Sequence, residues 1–110
     1  DFSFLDYIII IFIDKHTDYS IYINSFYALA QKISDKFGEP TEENKYKGQL
    51  YYYCDTEADA LFMGQIRYAT IWNNDDMDVY LYLSKDNLEV DYALMYRSKI
   101  FDRPDDSEIN

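Results

Sequence analysis

One cysteine, one histidine, two prolines and three glycines are all that this 110-residue chain holds of the residue types on which much catalytic chemistry and most tight turns depend. A lone thiol, Cys54, excludes an intrachain disulfide and a cysteine-based zinc cluster. A serine or cysteine nucleophile would have only His16 as its base, and neither a G-x-S-x-G elbow nor a local signature around Cys54 accompanies it. His16 therefore reads as a polar turn residue and Cys54 as a half-buried structural thiol. The glycines of "FGEP" and "MGQ" stand singly, so there is no phosphate-cradling loop. Carboxylate pairs for glycoside hydrolysis could be drawn at will from 21 acids, which removes their meaning as a signal. The expectation is a protein that is not an enzyme, with no catalytic residue, no cofactor and no metal.

Basic residues are also scarce, 10 against 21 acids, for a net charge of -11. Residues 102–110 hold four acids and one arginine, which leaves -8 on residues 1–101, so the acidity belongs to the folded part and not only to the tail. Such a surface repels phosphate and anionic lipid headgroups, and direct nucleic-acid binding is not expected. A basic protein partner would be favoured; the charge also serves solubility. Long hydrophobic runs are missing too. The longest, "YIIIIFI" at 7–13, is far short of the ~18 residues a membrane span needs, and no basic segment precedes it. The chain opens on Asp1, which reads as a processed or excised start.

What is abundant is aromatic and apolar: 48% hydrophobic residues, 19% aromatic, 13 tyrosines. That is ample for a single core, and one domain over 1–101 with an acidic C-terminal tail at 102–110 is expected. Residues 2–14 read as a strand, with apolar residues of both parities over Ile8–Ile13 implying cover on both faces and a central place in a sheet. Asp6, Asp14 and Lys15 flank this low-charge run as gatekeepers. Thr17, Asp18 and Ser20 offer cap chemistry for a helix over about 20–37, in which Ile23, Phe26, Tyr27, Ala30, Ile33 and Phe37 recur at three- and four-residue steps. Gly38 and Pro40 end it. "EPTEENKYKG" reads as a charged connection, "QLYYYC" at 49–54 as a second strand, and "DTEADALF" as a short helical turn capped by Asp55 or Thr56. Alternation then predicts strands over 65–73, 77–84 and 88–98, an antiparallel meander. The sum is an α+β fold of two layers, one main helix on a largely antiparallel sheet of about five strands in the order β-α-β-β-β-β.

Two surface features stand out. With Val79, Leu81, Leu83, Leu88, Val90 and Leu94 turned to the helix, Tyr51, Tyr53, Tyr80 and Tyr82 would share the opposite sheet face beside Arg67, Glu89 and Asp91. Tyrosine combines large contact area with few torsions to freeze, which suits a binding platform. Cross-strand tyrosine pairs equally stabilise an exposed sheet with no binding role. The turn acids Asp75, Asp76 and Asp78 form a candidate acidic patch; without the glycine and terminal glutamate of an EF-hand they read as a solvated hairpin turn.

The segments "YINSFYALAQKISDKFGEP", "YATIWNN", "VYLYLS" and "ALMYRS" resemble small uncharacterised α+β domains of bacterial secreted or envelope proteins, in which a helix ending in Lys-aromatic-Gly-x-Pro precedes a meander containing a tryptophan. The likeness spans about residues 8–98 and has no catalytic residues to transfer. It implies a bacterial extracytoplasmic module whose targeting signal preceded Asp1. Two functions follow as expectations. One is a non-enzymatic protein-interaction module, secreted or envelope-associated, using the tyrosine face or a sheet edge. The alternative is a small acidic antagonist, an immunity protein or nucleic-acid-mimicking inhibitor, that binds a basic protein.

Overall fold

A computed structural model describes residues 7–86 and 88–98; the expected tail at 102–110 and the start of the first expected strand lie outside them. Five strands form one antiparallel sheet: β1 (Tyr7–Ile11), β2 (Glu42–Lys47), β3 (Ile66–Asn73), β4 (Met77–Lys85) and β5 (Val90–Ser98). Their spatial order is β1-β5-β4-β3-β2. Helix α1 (Ser20–Phe37) and the short α2 (Glu57–Phe62) belong to the other layer, so the chain is a two-layer α+β fold. No described helix is long and apolar enough to cross a membrane.

Helix α1 begins where Asp18 Oδ1 accepts from the backbone N–H of Ser20 at 3.0 Å and from its hydroxyl at 2.6 Å. These hydrogen bonds, the hydroxyl's first, hold the Asp18 carboxyl below its ordinary value. The helix ends at Gly38, whose φ of 94° suits glycine and whose N–H reaches Ser34 O at 2.8 Å. Its buried face is Tyr22, Ile23, Phe26 and Ile33; Tyr27, expected there, is exposed and Tyr22 takes the inner place. These side chains meet Tyr68, Trp72, Val79, Leu81, Leu83, Tyr92 and Leu94, one parity of β3, β4 and β5. Polar atoms inside this layer are paired: Trp72 Nε1 donates to Ser34 Oγ at 3.1 Å, and the hydroxyls of Ser25 and Tyr92 lie 2.7 Å apart.

Three expectations about strands are corrected. The "QLYYYC" segment is not a strand: Tyr51–Tyr53 form a single 3₁₀ turn, with Tyr51 N–H bonded to Gly48 O and Tyr53 N–H to Leu50 O. The second strand is instead Glu42–Lys47, inside the charged connection. Gly48 N–H bonds Gln65 O at 2.9 Å, and there the β2–β3 ladder stops, so residues 49–64 must leave the sheet and return, closing on themselves through the turn and α2. Strand β1, expected to be central, lies at a sheet edge, with Ile8, Ile9, Ile10 and Ile11 exposed by 58, 59, 41 and 67%. Leu88, assigned to the core parity, sits exposed in the turn before β5, where Asp86 Oδ1 accepts from the N–H groups of Leu88 and Glu89, each at 2.9 Å.

Candidate functional site

Neither helix covers the second face of the sheet, which carries the opposite parity of every strand. The registers stack its residues into two rows. One runs Ile9, Met95, Tyr80, Ile71 across β1, β5, β4 and β3; the other runs Ile11, Ala93, Tyr82, Ala69. With strands about 4.8 Å apart, each row extends roughly 15 Å. Tyr80 and Tyr82 are half-buried on this face, which is open on the side away from both described helices. Tyr82 stands in register between two small neighbours, Ala93 and Ala69.

Charge closes this apolar centre at both ends. At one end Arg97 stands opposite Asp78, Nη1 to Oδ2 at 3.6 Å. At the other, Asp91 pairs in register with Ser84, and Arg67 extends across Tyr46 with its guanidinium carbon 5.2 Å from the ring centroid. An apolar centre inside a polar rim is the usual anatomy of a protein-binding patch.

The expected site residues do not all come together here. Tyr80 and Tyr82 share the open face and Arg67 lies at its rim. Tyr51 and Tyr53 do not join them, because the 3₁₀ turn takes both out of the sheet; Tyr51 packs at the edge of the helical-side core, under Lys47 Nζ at 4.8 Å from its ring centroid, and Tyr53 is exposed. The acidic patch is also divided. Asp75 and Asp76 are exposed at the β3–β4 turn, which Asn74 Oδ1 organises by accepting from the N–H groups of Asp76 and Met77. Asp78 is instead buried beside Arg97.

Ala69, Ile71, Ala93 and Met95 reach this face by the alternation of β3 and β5 that the sequence shows, whereas the contribution of Ile9 and Ile11 depends on β1 pairing with β5.

A groove of about 520 Å³ opens near the start of α1, lined in part by Phe12, Asp14, His16, Tyr22, Glu89 and Tyr92. Two of its hydroxyls are engaged: Tyr22 accepts from the His16 N–H at 2.8 Å and donates to Asp14 O at 3.4 Å, and Tyr92 meets Ser25. Burial pushes the Tyr92 phenol above its ordinary value, against the opposing effect of Ser25. The groove thus combines ring faces with the charged or titratable side chains of Asp14, Lys15, His16, Glu89 and Asp91 along its lining. Among the described residues no cluster of three or more His, Cys, Asp or Glu side chains converges as a metal site. Compared with family models, curated proteins and solved structures, the chain matches none.

Proposed function

We propose that this domain is a non-enzymatic protein-interaction module that holds a protein partner against the open face of its sheet, centred on Tyr80 and Tyr82. The observation that carries the reading is the two-row apolar centre closed by Arg97–Asp78 at one end and Arg67 with Asp91 at the other. Rigid strands present it, so little ordering cost falls on binding, and tyrosine supplies area together with a hydroxyl. The likeness to bacterial secreted and envelope domains supports an extracytoplasmic setting for this module.

A second reading has its own observation. The -8 carried by residues 1–101, with Asp75 and Asp76 exposed at a turn tip, favours an acidic antagonist that captures a basic protein.

The two readings part in their response to salt. The domain is immobilised, challenged with a lysate and an envelope fraction at low and high salt, and compared with Tyr80→Ala, Tyr82→Ala and Asp75→Lys/Asp76→Lys. The module reading expects a partner retained at high salt and lost with either tyrosine variant. A basic protein released by salt and lost on charge reversal, with the tyrosine variants unaffected, would replace it with the antagonist reading.

A further inference from the structure

The two edges of the sheet differ in kind. The β2 edge carries Glu42, Glu43, Lys45 and Lys47 in six residues, the charged composition that keeps an edge from pairing with another chain. The β1 edge carries none of this: residues 7–13 hold no charged side chain, and Ile8, Ile9, Ile10, Ile11 and Ile13 are all exposed. No described element pairs with its outer side.

The backbone of that edge can be assigned. Phe12 N–H bonds Tyr92 O at 3.0 Å, which makes Phe12 and Tyr92 a hydrogen-bonded pair of the antiparallel ladder. Alternation then turns the N–H and C=O groups of Ile8 and Ile10 toward β5, and those of Ile9 and Ile11 outward. The edge therefore offers two consecutive outward donor and acceptor sets, flanked on both faces by isoleucine.

We infer that β1 pairs antiparallel with β1 of a second copy of this chain about a twofold axis passing beside Ile9 or Ile10, joining two five-stranded sheets into one of ten strands. Either register pairs outward residue with outward residue and sets apolar side chains against apolar side chains on both faces, so the edge is complementary to itself. A perpendicular twofold keeps like faces together: the two helical layers lie on one side, and the two open faces merge through Ile9 and Ile11 on the other. Charge selects this contact as well. Copies bearing -11 each repel over most of their surface, and β1 is an uncharged stretch where they can meet. The charged β2 edge lies four strand spacings away, about 19 Å, beyond the screening length of about 8 Å at physiological salt. Five part-exposed isoleucines per copy, at roughly 60–100 Å² each, bring the interface to about 600–1,000 Å² before backbone, the size of a weak, reversible contact. This inference is independent of what the open face binds.

The test is sedimentation velocity of the full chain from low to high micromolar concentration, with amide hydrogen exchange followed by NMR at the high end. Dimer is expected, with Ile9 and Ile11 amides protected at high concentration and exposed on dilution, while Ile10 stays protected throughout. Ile11→Pro removes one outward donor and none used by β5, and should weaken the dimer at least 100-fold with the near-ultraviolet circular dichroism unchanged. Should that variant not fold, the concentration dependence of the Ile9 and Ile11 amides in the unaltered chain decides alone. A monomer at high micromolar concentration overturns the inference. So does a dimer whose Ile9 and Ile11 amides exchange freely, or one abolished by Tyr82→Lys and indifferent to Ile11→Pro, since both mean stacking of open faces.

Discussion

The Tyr68 hydroxyl donates to Glu57 Oε1 at 2.7 Å, from the middle of the sheet's helical face to the first turn of α2. The other carboxylate oxygen, Oε2, accepts from Lys45 Nζ of β2 at 3.0 Å. One carboxylate thus ties three elements distant in sequence, and it does so where residues 49–64 leave the sheet between β2 and β3. Lys45 lies 5.6 Å from the ring centroid of Tyr27 and 5.8 Å from that of Tyr68, so α1 joins the same cluster.

That geometry sets a pH response. Burial opposes ionisation of Glu57, but the hydrogen bonds from Tyr68 and Lys45 outweigh it and hold the carboxyl below its ordinary 4.5. Its contribution to stability is complete above 4.5 and is lost as pH falls through the lower native value. Tyr68 runs the other way: burial first, then the bond to Glu57, push its phenol well above its ordinary 10, so its contribution holds below 10 and declines at more alkaline pH. Tyr68→Phe should cost about 1 kcal/mol at neutral pH, and urea unfolding from pH 3 to 11 should show a shallower loss of stability on both flanks. Unchanged flanks would mean that the cluster is not linked to folding.

Leu81 and Trp72 report on the core beneath. Leu81 is fully buried at the centre of β4, and Trp72, the chain's single tryptophan, is 2% exposed with its indole N–H held by Ser34. Leu81→Ala leaves a cavity between two rigid layers and should destabilise by about 2–5 kcal/mol. Trp72 emission should be blue-shifted in the native state and follow the same transition as far-ultraviolet circular dichroism. Two separated transitions would contradict a single cooperative core.

The α+β architecture was legible because its carriers bury one face each: α1 repeats at helical steps, and β3, β4 and β5 alternate. Strand β2 was not legible, since "EENKYK" pairs through its backbone and buries almost no side chain, so no hydrophobic period marks it. "QLYYYC" alternated like a strand but had no partner, because β3 begins only after Gln65. The edge position of β1 was masked by isoleucine of both parities, the pattern of a strand with neighbours on each side and cover above and below. Half of the candidate site was legible for the same reasons: the Tyr80–Tyr82 parity was readable within one strand, whereas the joining of Ile9 and Ile11 to it depended on strand order.

Gly64 closes the excursion with a φ of 72°, and a Cβ built there would lie 3.2 Å from Lys85 O. Gly64→Ala meets both left-handed strain and a backbone contact, so a loss of about 1–2 kcal/mol is expected. Chemical denaturation measures it. A neutral result would show that the turn relaxes to a negative φ without disturbing Ala60 and Leu61, both fully buried just before it.

The unlike edges make a final prediction about where association stops. A molecule with one pairing edge closes as a dimer, because the twofold consumes that edge in both copies. A molecule with two pairing edges adds without end. Glu43→Val/Lys47→Val removes two edge charges while leaving the Lys45–Glu57 ion pair in place. The substituted protein should pass from dimer to open-ended assemblies, seen as concentration-dependent light scattering and thioflavin binding, and Ile11→Pro added to it should restrict growth to pairs formed through β2 alone. If the double variant instead stays at the size of the unaltered protein, the charges on β2 are not what holds that edge apart.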